Sequence, residues 1–194
     1  VGDSALANNT TASNNTALGR TALFTNTTGA SNVAVGFQAS RQNTSGASNT
    51  AIGKVALYAN STGNDNVAVG QQALEDNTAS GNTAVGYASL LQNTSGTNLV
   101  SVGKGALQNN TTASNNTAVG YQAVFNNTTG GNLVATGYQA LYTNSTGNDN
   151  SAFGWQALYS STTASNNTAV GFQALKANTT GTKNTAVGRR ALTT

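Results

Sequence analysis

The residues of this sequence with the clearest potential chemistry are asparagines that recur at one position of a regular loop. Each is followed two residues later by Thr or Ser, the acceptor motif for N-linked glycans and typical of surface loops. The candidate acceptors are Asn9, Asn26, Asn43, Asn60, Asn93, Asn110, Asn127, Asn144 and Asn178. Asn-Thr-Thr-Gly is also a typical turn sequence, because Asn and Thr side chains form hydrogen bonds with nearby backbone groups. Chance acceptor motifs within a turn are therefore the competing explanation.

Two members of this asparagine column have no acceptor motif. Asn77 is followed by Thr78 and Ala79, and Ser161 replaces the asparagine in one loop. Turn chemistry alone tolerates Asp, Ser or Gly about as well as Asn. The presence of Asn at position 77 therefore favours a ladder in which each side-chain amide donates to the next. A glycan and a ladder exclude each other at one position, because glycosylation removes an amide donor.

The composition excludes several catalytic chemistries. The 194 residues include 29 Asn and 31 Thr but no His, Cys, Met or Pro. The chain therefore has no disulfide, no thiolate or imidazole metal ligand, and no Ser-His or Cys-His nucleophile. Charged residues make up 7% and the net charge is +3, which predicts no nucleic-acid groove. No apolar run approaches the ~20 residues of a membrane-spanning helix. We expect a non-enzymatic chain with no cofactor and no metal.

A glycine register sets the spacing of the loops. Glycine recurs every 17 residues, with one interval of 16 that falls at the loop 77–81. The glycines are Gly2, Gly19, Gly36, Gly53, Gly70, Gly86, Gly103, Gly120, Gly137, Gly154, Gly171 and Gly188. The repeat is approximately Asn-Thr-Ala-Val-Gly-Tyr-Gln-Ala-Leu-Tyr-x-Asn-Thr-Thr-Gly-x-x. It predicts a single repeat array over residues 1–194, cut within a repeat at both ends. The glycines from Gly19 onward are predicted to form a structural corner that other residues resist.

Small and aliphatic residues occupy fixed columns around each glycine. Only Ala or Ser stands two residues before it, as Ala118 does, and three residues after it, as Ala123 does. This restriction predicts a tight contact between sheets or chains. The residue before the glycine, such as Val119, is mostly aliphatic, and the residue four after it, such as Val124, is Leu or Val except at Ser40. Both of these columns are predicted to be core.

The column chemistry predicts an all-β fold. Thr-Ala-Val and Gln-Ala-Leu-Tyr each have strand length, and Asn-Thr-Thr-Gly is a turn in which the glycine takes a positive φ. We predict a parallel β-solenoid or β-roll of about eleven 17-residue coils, roughly 4.8 Å apart, in a rod about 50 Å long. One coil buries only one Val, one Leu and two Ala. This thin core favours bundling of copies as a homotrimer or stacking into a fibre.

Aromatic residues form two stripes at the coil period. One stripe, directly after the glycine, is Phe37, Tyr87, Tyr121, Tyr138, Trp155 and Phe172. The other, five residues after the glycine, is Phe24, Tyr58, Phe125, Tyr142 and Tyr159. Contiguous apolar stripes on a surface usually mark a binding contact. The expected partner of these stripes is either a second copy of the chain or a surface glycan. Packing of the rings within one solenoid is equally compatible with the pattern.

Three weaker patterns suggest other chemistry. Gly63-Asn64-Asp65 and Gly147-Asn148-Asp149 are similar to calcium-binding β-roll loops, which however need an acidic ligand in successive coils. Arg189-Arg190 is predicted to be a solvated edge. A column of threonines suggests an ice-binding surface. Because valines interrupt this column, we interpret it instead as an inward-pointing β-branched position. Its members are Thr16, Thr50, Thr83, Thr117, Thr168 and Thr185, and the interruptions are Val33, Val67, Val100 and Val134.

The motif Asn-Thr-Ala-Val-Gly-Tyr-Gln-Ala-Val at 116–124 resembles repeats of phage and bacterial tail-fibre-like proteins. Through Asn-Thr-Ala-Ile-Gly at 49–53, the chain is also similar to the head repeats of trimeric autotransporter adhesins. The resemblance covers the whole chain and implies a trimeric, left-handed parallel β-roll without catalytic residues. The longer period and the Asn-Thr-Thr-Gly loop depart from the adhesin heads.

The residues and the resemblance together predict a structural, non-enzymatic segment of an extracellular fibre, on a virion or a cell surface. One alternative is a self-assembling N-glycosylated filament, and another is an adhesin module that binds host-surface glycans. The expected partners are copies of the chain itself, and no nucleic acid or membrane span is expected.

Overall fold

The computed structural model describes residues 2–193 and has an all-β architecture, a parallel solenoid of about ten turns. Eleven strands lie side by side in chain order in one parallel sheet. The strands are β1 (Thr16–Leu18), β2 (Val33–Val35), β3 (Thr50–Ile52), β4 (Val67–Val69), β5 (Thr83–Val85), β6 (Val100–Val102), β7 (Thr117–Val119), β8 (Val134–Thr136), β9 (Ser151–Phe153), β10 (Thr168–Val170) and β11 (Thr185–Val187). Residues 2–193 contain no helix long and apolar enough to cross a membrane. The predicted parallel solenoid is confirmed.

The pairing follows the sequence repeat without a shift. Ala118 pairs with Ala135, and Thr117 with Val134, so equivalent residues of successive coils are stacked. The short loop 77–81 absorbs its missing residue outside the sheet, because β4 and β5 still pair Val67 with Thr83. The glycine register therefore defines a single axial register for the whole sheet.

Within each strand, the small central residue lies inside and its two neighbours lie outside. Ala34 and Ala118 are fully buried, whereas Leu18 is 50% exposed and Ile52 is 40% exposed. The prediction that the aliphatic column before the glycine is core is wrong. The interpretation of the Thr/Val column at the strand start as inward is also wrong, since Thr16 is exposed. Side chains alternate across a strand, so an inward alanine places both neighbours outward.

The core consists of the two alanine columns and the leucine column, together with Leu99 and Leu133 from the column before the strands. Ala118, Ala123 and Val124 are all fully buried, and the equivalent residues of the other coils form one continuous cluster. The predicted tight contact of the alanine columns therefore exists, and it lies within one chain. The leucine column, which was also predicted to be core, is confirmed as core by the burial of Leu57, Leu107 and their equivalents.

The Gln-Ala-Leu-Tyr segment is not a second strand. Every second residue has a left-handed backbone, as at Gln122 with φ 51° and Val124 with φ 53°. A strand needs φ near −120° at each residue, so this alternation bends the segment sharply. The bend lets the chain return to the sheet around a core only an alanine and a leucine wide. The prediction of a second strand is therefore wrong.

Glycine has two different roles in the coil. The eleven glycines from Gly19 to Gly188 that follow the strands have φ between 128° and 141°. A Cβ at Gly86 would lie 2.6 Å from the carbonyl oxygen of Gly103, so the corner combines unusual dihedrals with close approach. The loop glycine, by contrast, does not take the positive φ that was predicted for it. In the loop of Gly130 the positive φ, 56°, belongs to Asn132. Gly130 itself is needed for space, since a Cβ there would lie 2.6 Å from Oδ1 of Asn127.

Replacement of Ala118 by Leu is expected to lower the free energy of unfolding by about 1–3 kcal/mol through overpacking. Ala118 is fully buried and stacks on Ala135 and Ser101 in the adjacent coils. Val119→Leu is the matched control, because Val119 is the next residue and points outward. Thermal unfolding followed by circular dichroism measures both variants. Equal melting temperatures for Ala118→Leu and the wild type would contradict the burial of this column.

Candidate functional site

The loop asparagines form a hydrogen-bonded ladder along the solenoid. Nδ2 of Asn127 donates to Oδ1 of Asn110 at 2.9 Å and to the carbonyl of Gly130 at 2.9 Å. Oδ1 of Asn127 in turn accepts from Nδ2 of Asn144 at 2.9 Å. Each amide thus closes its own loop and bonds the loop of the preceding coil. Asn77 takes part as well, since Nδ2 of Asn93 donates to its Oδ1 at 2.7 Å.

The burial of these amides opposes N-glycosylation. Seven candidate acceptors are completely inaccessible to solvent, and these are Asn26, Asn43, Asn60, Asn93, Asn110, Asn127 and Asn144. Asn9 and Asn178, in the first and last loops, are half-buried. A glycan on Nδ2 would replace one of two donating protons and would need a path to solvent through packed coils. Glycosylation of the seven buried residues and this folded structure exclude each other, so the geometry favours the ladder.

The ladder is interrupted at two places, and each leaves a buried acceptor without a donor. Oδ1 of Asn60 and Oδ1 of Asn144 have no hydrogen-bond partner. In the coil that follows Asn60, the loop 77–81 is one residue shorter than the others. In the coil that follows Asn144, Ser161 replaces the asparagine, and its Oγ is also unpaired. Buried polar groups are nearly always hydrogen-bonded, so these atoms are local defects in an otherwise satisfied network.

The Ser161→Asn variant is expected to raise the free energy of unfolding by about 1–2 kcal/mol. The new amide would donate to the unpaired Oδ1 of Asn144 and accept from Nδ2 of Asn178. The loop has space for this asparagine, because residues 161–164 would then have the same sequence as residues 110–113, Asn-Thr-Thr-Ala. In both cases the loops of the two adjacent coils have glycine where this loop has its alanine. Denaturant unfolding measures the change.

Ser160→Asn is the control for this variant. Ser160 is half-buried and stands in the column of Asn109 and Asn126, which tolerates Asn without joining the buried ladder. We expect no stabilisation from this control. A Ser161→Asn variant no more stable than Ser160→Asn would contradict the account of the unpaired acceptors.

A second asparagine ladder, at the residue before each strand, was missed by the sequence analysis. Nδ2 of Asn32 donates to the carbonyl of Gly46 at 2.8 Å, and the backbone N–H of Asn32 donates to Oδ1 of Asn15 at 2.8 Å. Leu99 and Leu133 are the two replacements in this column, and the N–H of Leu133 still donates to Oδ1 of Asn116 at 2.9 Å. The signal was present as the first residue of the Asn-Thr-Ala-Val-Gly motif. The carbonyl of a loop glycine such as Gly46 or Gly130 thus accepts from both ladders, which ties the loop to the sheet, whereas that of Gly147 accepts from Asn144 alone of the two ladders because Leu133 has no amide.

Seven of the eleven rings in the aromatic stripes stack on one another within the chain. Three of the others instead lie under a basic side chain, which is Arg20 over Phe37, Arg41 over Phe24 and Lys104 over Tyr87. Tyr121, Tyr138, Trp155 and Phe172 stack with centroids 5.1, 5.6 and 5.0 Å apart and planes 8–11° from parallel. Phe125, Tyr142 and Tyr159 form a second stack in the same way, and Arg189 lies over the last ring of the first stack at 5.5 Å. Ring faces inside a stack are covered by neighbouring rings, so they offer a sugar only their edges.

The remaining candidates do not form a reactive site. Asp65 and Asp149 are exposed, and Oδ1 of Asp149 accepts from Asn132 at 3.0 Å. Across residues 2–193, no three acidic, His or Cys side chains are grouped as a metal site requires. Gln122, Gln139, Gln156 and Gln173 form a glutamine ladder, in which Nε2 of each member after Gln122 donates to Oε1 of the glutamine 17 residues earlier. Nε of Arg190 donates to Oε1 of Gln173 at 3.3 Å and so continues this ladder. The threonine column lies on the outer side of the sheet, not inside.

No family model matches this chain, and no curated protein or solved structure matches it. The functional conclusion therefore depends on the geometry of the solenoid itself. Its dominant feature is a set of ladders along one axis, in the sheet, the loops and the ring stacks.

Proposed function

We propose that this chain is a structural, non-enzymatic segment of an extracellular fibre, exposed on a virion or cell surface, that provides a stiff repetitive rod. The observation that supports this most directly is the repetition of the same axial hydrogen bonds around the whole coil. The sheet and the two asparagine ladders lie on different sides of the coil. The glutamine ladder adds a further side over Gln122–Gln173, and before it backbone bonds such as that from the N–H of Gln38 to the carbonyl of Arg20 join the coils there.

Bending such a rod in any direction would stretch one of these ladders. On the glutamine side, Nε2 of Gln139 donates to Oε1 of Gln122 at 3.0 Å, and Nε2 of Gln156 donates to Oε1 of Gln139 at 3.0 Å. On the loop side, Oγ1 of Thr128 donates to the carbonyl of Ser145 at 3.0 Å. Since each bond joins adjacent coils along the axis, stretching costs energy on every side. Resistance to bending is the property that a fibre shaft needs.

The proposal includes association of copies, as a homotrimer or as a longer fibre. One coil buries few large side chains, while Leu18, Ile52 and Phe153 are between 40% and 50% exposed on one side of the sheet. Exposed apolar side chains in a contiguous patch usually mark a contact. No catalytic residue is assigned in this proposal.

Immunogold electron microscopy on the native source tests the assignment. Antibody raised against the purified chain is applied to intact, unpermeabilised cells or virions, and we expect gold along surface fibres. The control is the same antibody absorbed beforehand with the purified chain, which should remove the label. Label that appears only after permeabilisation would contradict the extracellular assignment.

A further inference from the structure

We infer that copies of this chain associate side by side, in parallel, through the outer face of the sheet. We define the outer face as the first and third residues of strands β1–β11. This inference rests on the proposed function, because it names the partner and the surface for the association of copies.

The composition of the outer face differs sharply from the rest of the chain. Its 22 positions carry only Thr, Ser, Val, Ile, Leu and Phe, with no charged and no amide side chain. In a chain with 29 Asn, the absence of amides from so many outward positions indicates selection against strongly hydrated side chains. Val100 is 40% exposed and Val170 is 37% exposed, so the apolar groups are accessible in the single chain.

The size and shape of the outer face fit a second copy. Eleven strands at about 4.8 Å spacing, with three residues across and their flanks, cover about 50 by 15 Å, or about 750 Å². This approaches the ~800 Å² that each partner buries in a standard stable interface. Because the strands pair in register, the outward side chains form straight rows. Rows on two copies can interdigitate, as the facing sides of two packed sheets do.

The charges that flank the outer face favour a parallel arrangement. Along one rim, two residues after the strands end, lie Arg20, Lys54, Lys104 and Arg189. Along the other rim, two residues before the strands begin, lie Asp65 and Asp149. Asp3 on the first rim and Lys183 on the second, both near the ends of the rod, are the exceptions.

A symmetry axis parallel to the rod brings the basic rim of one copy beside the acidic rim of the next. An antiparallel pair would instead place Arg20 opposite Arg189 and the basic rims against each other. Opposite charges across an interface favour one orientation and suppress the other. Parallel copies keep one like-charged neighbour, Arg189 beside Lys183 in the last coil, whereas antiparallel copies set Arg20 against Arg189 and Lys104 against Lys104. The rims therefore favour parallel copies.

Analytical ultracentrifugation of the full chain over a range of concentrations tests the surface. We expect a dimer or trimer of the 19.4 kDa chain. The Val85→Lys/Val119→Lys variant places charges in the middle of the outer face and should raise the dissociation constant at least tenfold. Both side chains point outward, so the variant should keep the wild-type circular dichroism spectrum. Gln42→Lys/Gln92→Lys, at exposed positions outside the sheet, adds the same charge and should assemble like the wild type.

Orientation is tested by energy transfer, since the chain has no native cysteine. Copies labelled at Thr28→Cys should show strong transfer between equivalent sites. Mixing copies labelled at Thr28→Cys with copies labelled at Thr163→Cys, about eight coils or ~38 Å further along the rod, should give much less transfer when the dye pair has a short Förster distance. The reverse result would overturn the parallel arrangement.

A wild-type chain that is monomeric at every concentration, or equal assembly of both lysine variants, would overturn the role of the outer face. A second result would also overturn it. If the wild-type chain is a monomer that lowers the freezing point of water, and Val119→Lys abolishes this activity, the threonine rows of the outer face bind ice and not a second copy. The immunogold label does not depend on chain number, so failure of this inference is distinguishable from failure of the fibre assignment.

Discussion

Gly86→Ala is expected to lower the free energy of unfolding by about 3–5 kcal/mol, although it adds only one methyl group. Gly86 has φ 132°, where a side chain is strained. A Cβ there would also lie 2.6 Å from the carbonyl oxygen and 2.7 Å from the carbonyl carbon of Gly103. Backbone atoms cannot move aside without shifting the next coil, and that shift would break the register of the sheet.

Two controls separate the clash from the dihedral strain. Gly188 has nearly the same φ, 128°, but a Cβ there meets only Cβ of Ala191, at 4.0 Å. Gly188→Ala should therefore cost about 1–3 kcal/mol, the strain alone. Gly105, in the coil after Gly86, has φ 66°, and the equivalent residue of the preceding coil is Ala88. Gly105→Ala should therefore lower the free energy of unfolding by less than Gly188→Ala does. Urea unfolding measures all three. Equal losses for Gly86→Ala and Gly188→Ala would show that close approach of the coils is not the cause.

Asn43→Leu is expected to lower the free energy of unfolding by about 3–5 kcal/mol, although the two side chains have similar size. Nδ2 of Asn43 donates to Oδ1 of Asn26 at 2.7 Å and to the carbonyl of Gly46 at 2.9 Å. Its Oδ1 accepts from Nδ2 of Asn60 at 3.2 Å. Leucine would leave the Asn26 oxygen buried without a donor and would remove the Asn60 acceptor. Gln42→Leu, the adjacent exposed residue, should change stability little.

Asn43→Asp distinguishes the ladder from simple packing. A buried carboxylate has no proton for the Asn26 oxygen, and burial would raise the pKa of the new carboxyl group above its unfolded value. A raised folded pKa means that stability is retained at low pH and is lost as the pH rises through that pKa. The unfolding free energy of this variant should therefore fall from acid to neutral pH relative to the wild type. A pH-independent difference would show that the amide protons do not carry the ladder.

The repeat in the sequence was sufficient to predict the stacking direction and the axial register. One repeat per coil places Gly86 beside Gly103 and Ala118 beside Ala135, because equivalent residues of a solenoid are neighbours along its axis. Restriction of a column to Ala or Ser also showed that it lies in a tight contact. These conclusions depend only on spacing and side-chain volume, which are explicit in the sequence.

The direction of the aliphatic side chains was decided only by the tertiary structure. Ala118 and Val119 are both apolar, so hydrophobicity does not show which of them points inward. At the centre of each strand the coil has room for alanine but not for valine, and the alternation of the strand then turns Val119 outward. The width of the coil follows from the sharp bend at Gln122 and Val124, where left-handed backbone replaces the predicted strand.

The asparagine columns show the same division. Their period and their near-exclusive use of Asn were visible in the sequence, and Asn77 pointed to a ladder over a glycan. Burial was not visible, because the partners of Asn127 are the amides of Asn110 and Asn144, each 17 residues away, and the acceptor motif is equally consistent with an exposed loop. Only the stacking of the coils brings these amides together and removes them from solvent. That is the physical reason why one sequence pattern admitted two chemistries and the tertiary structure selects one.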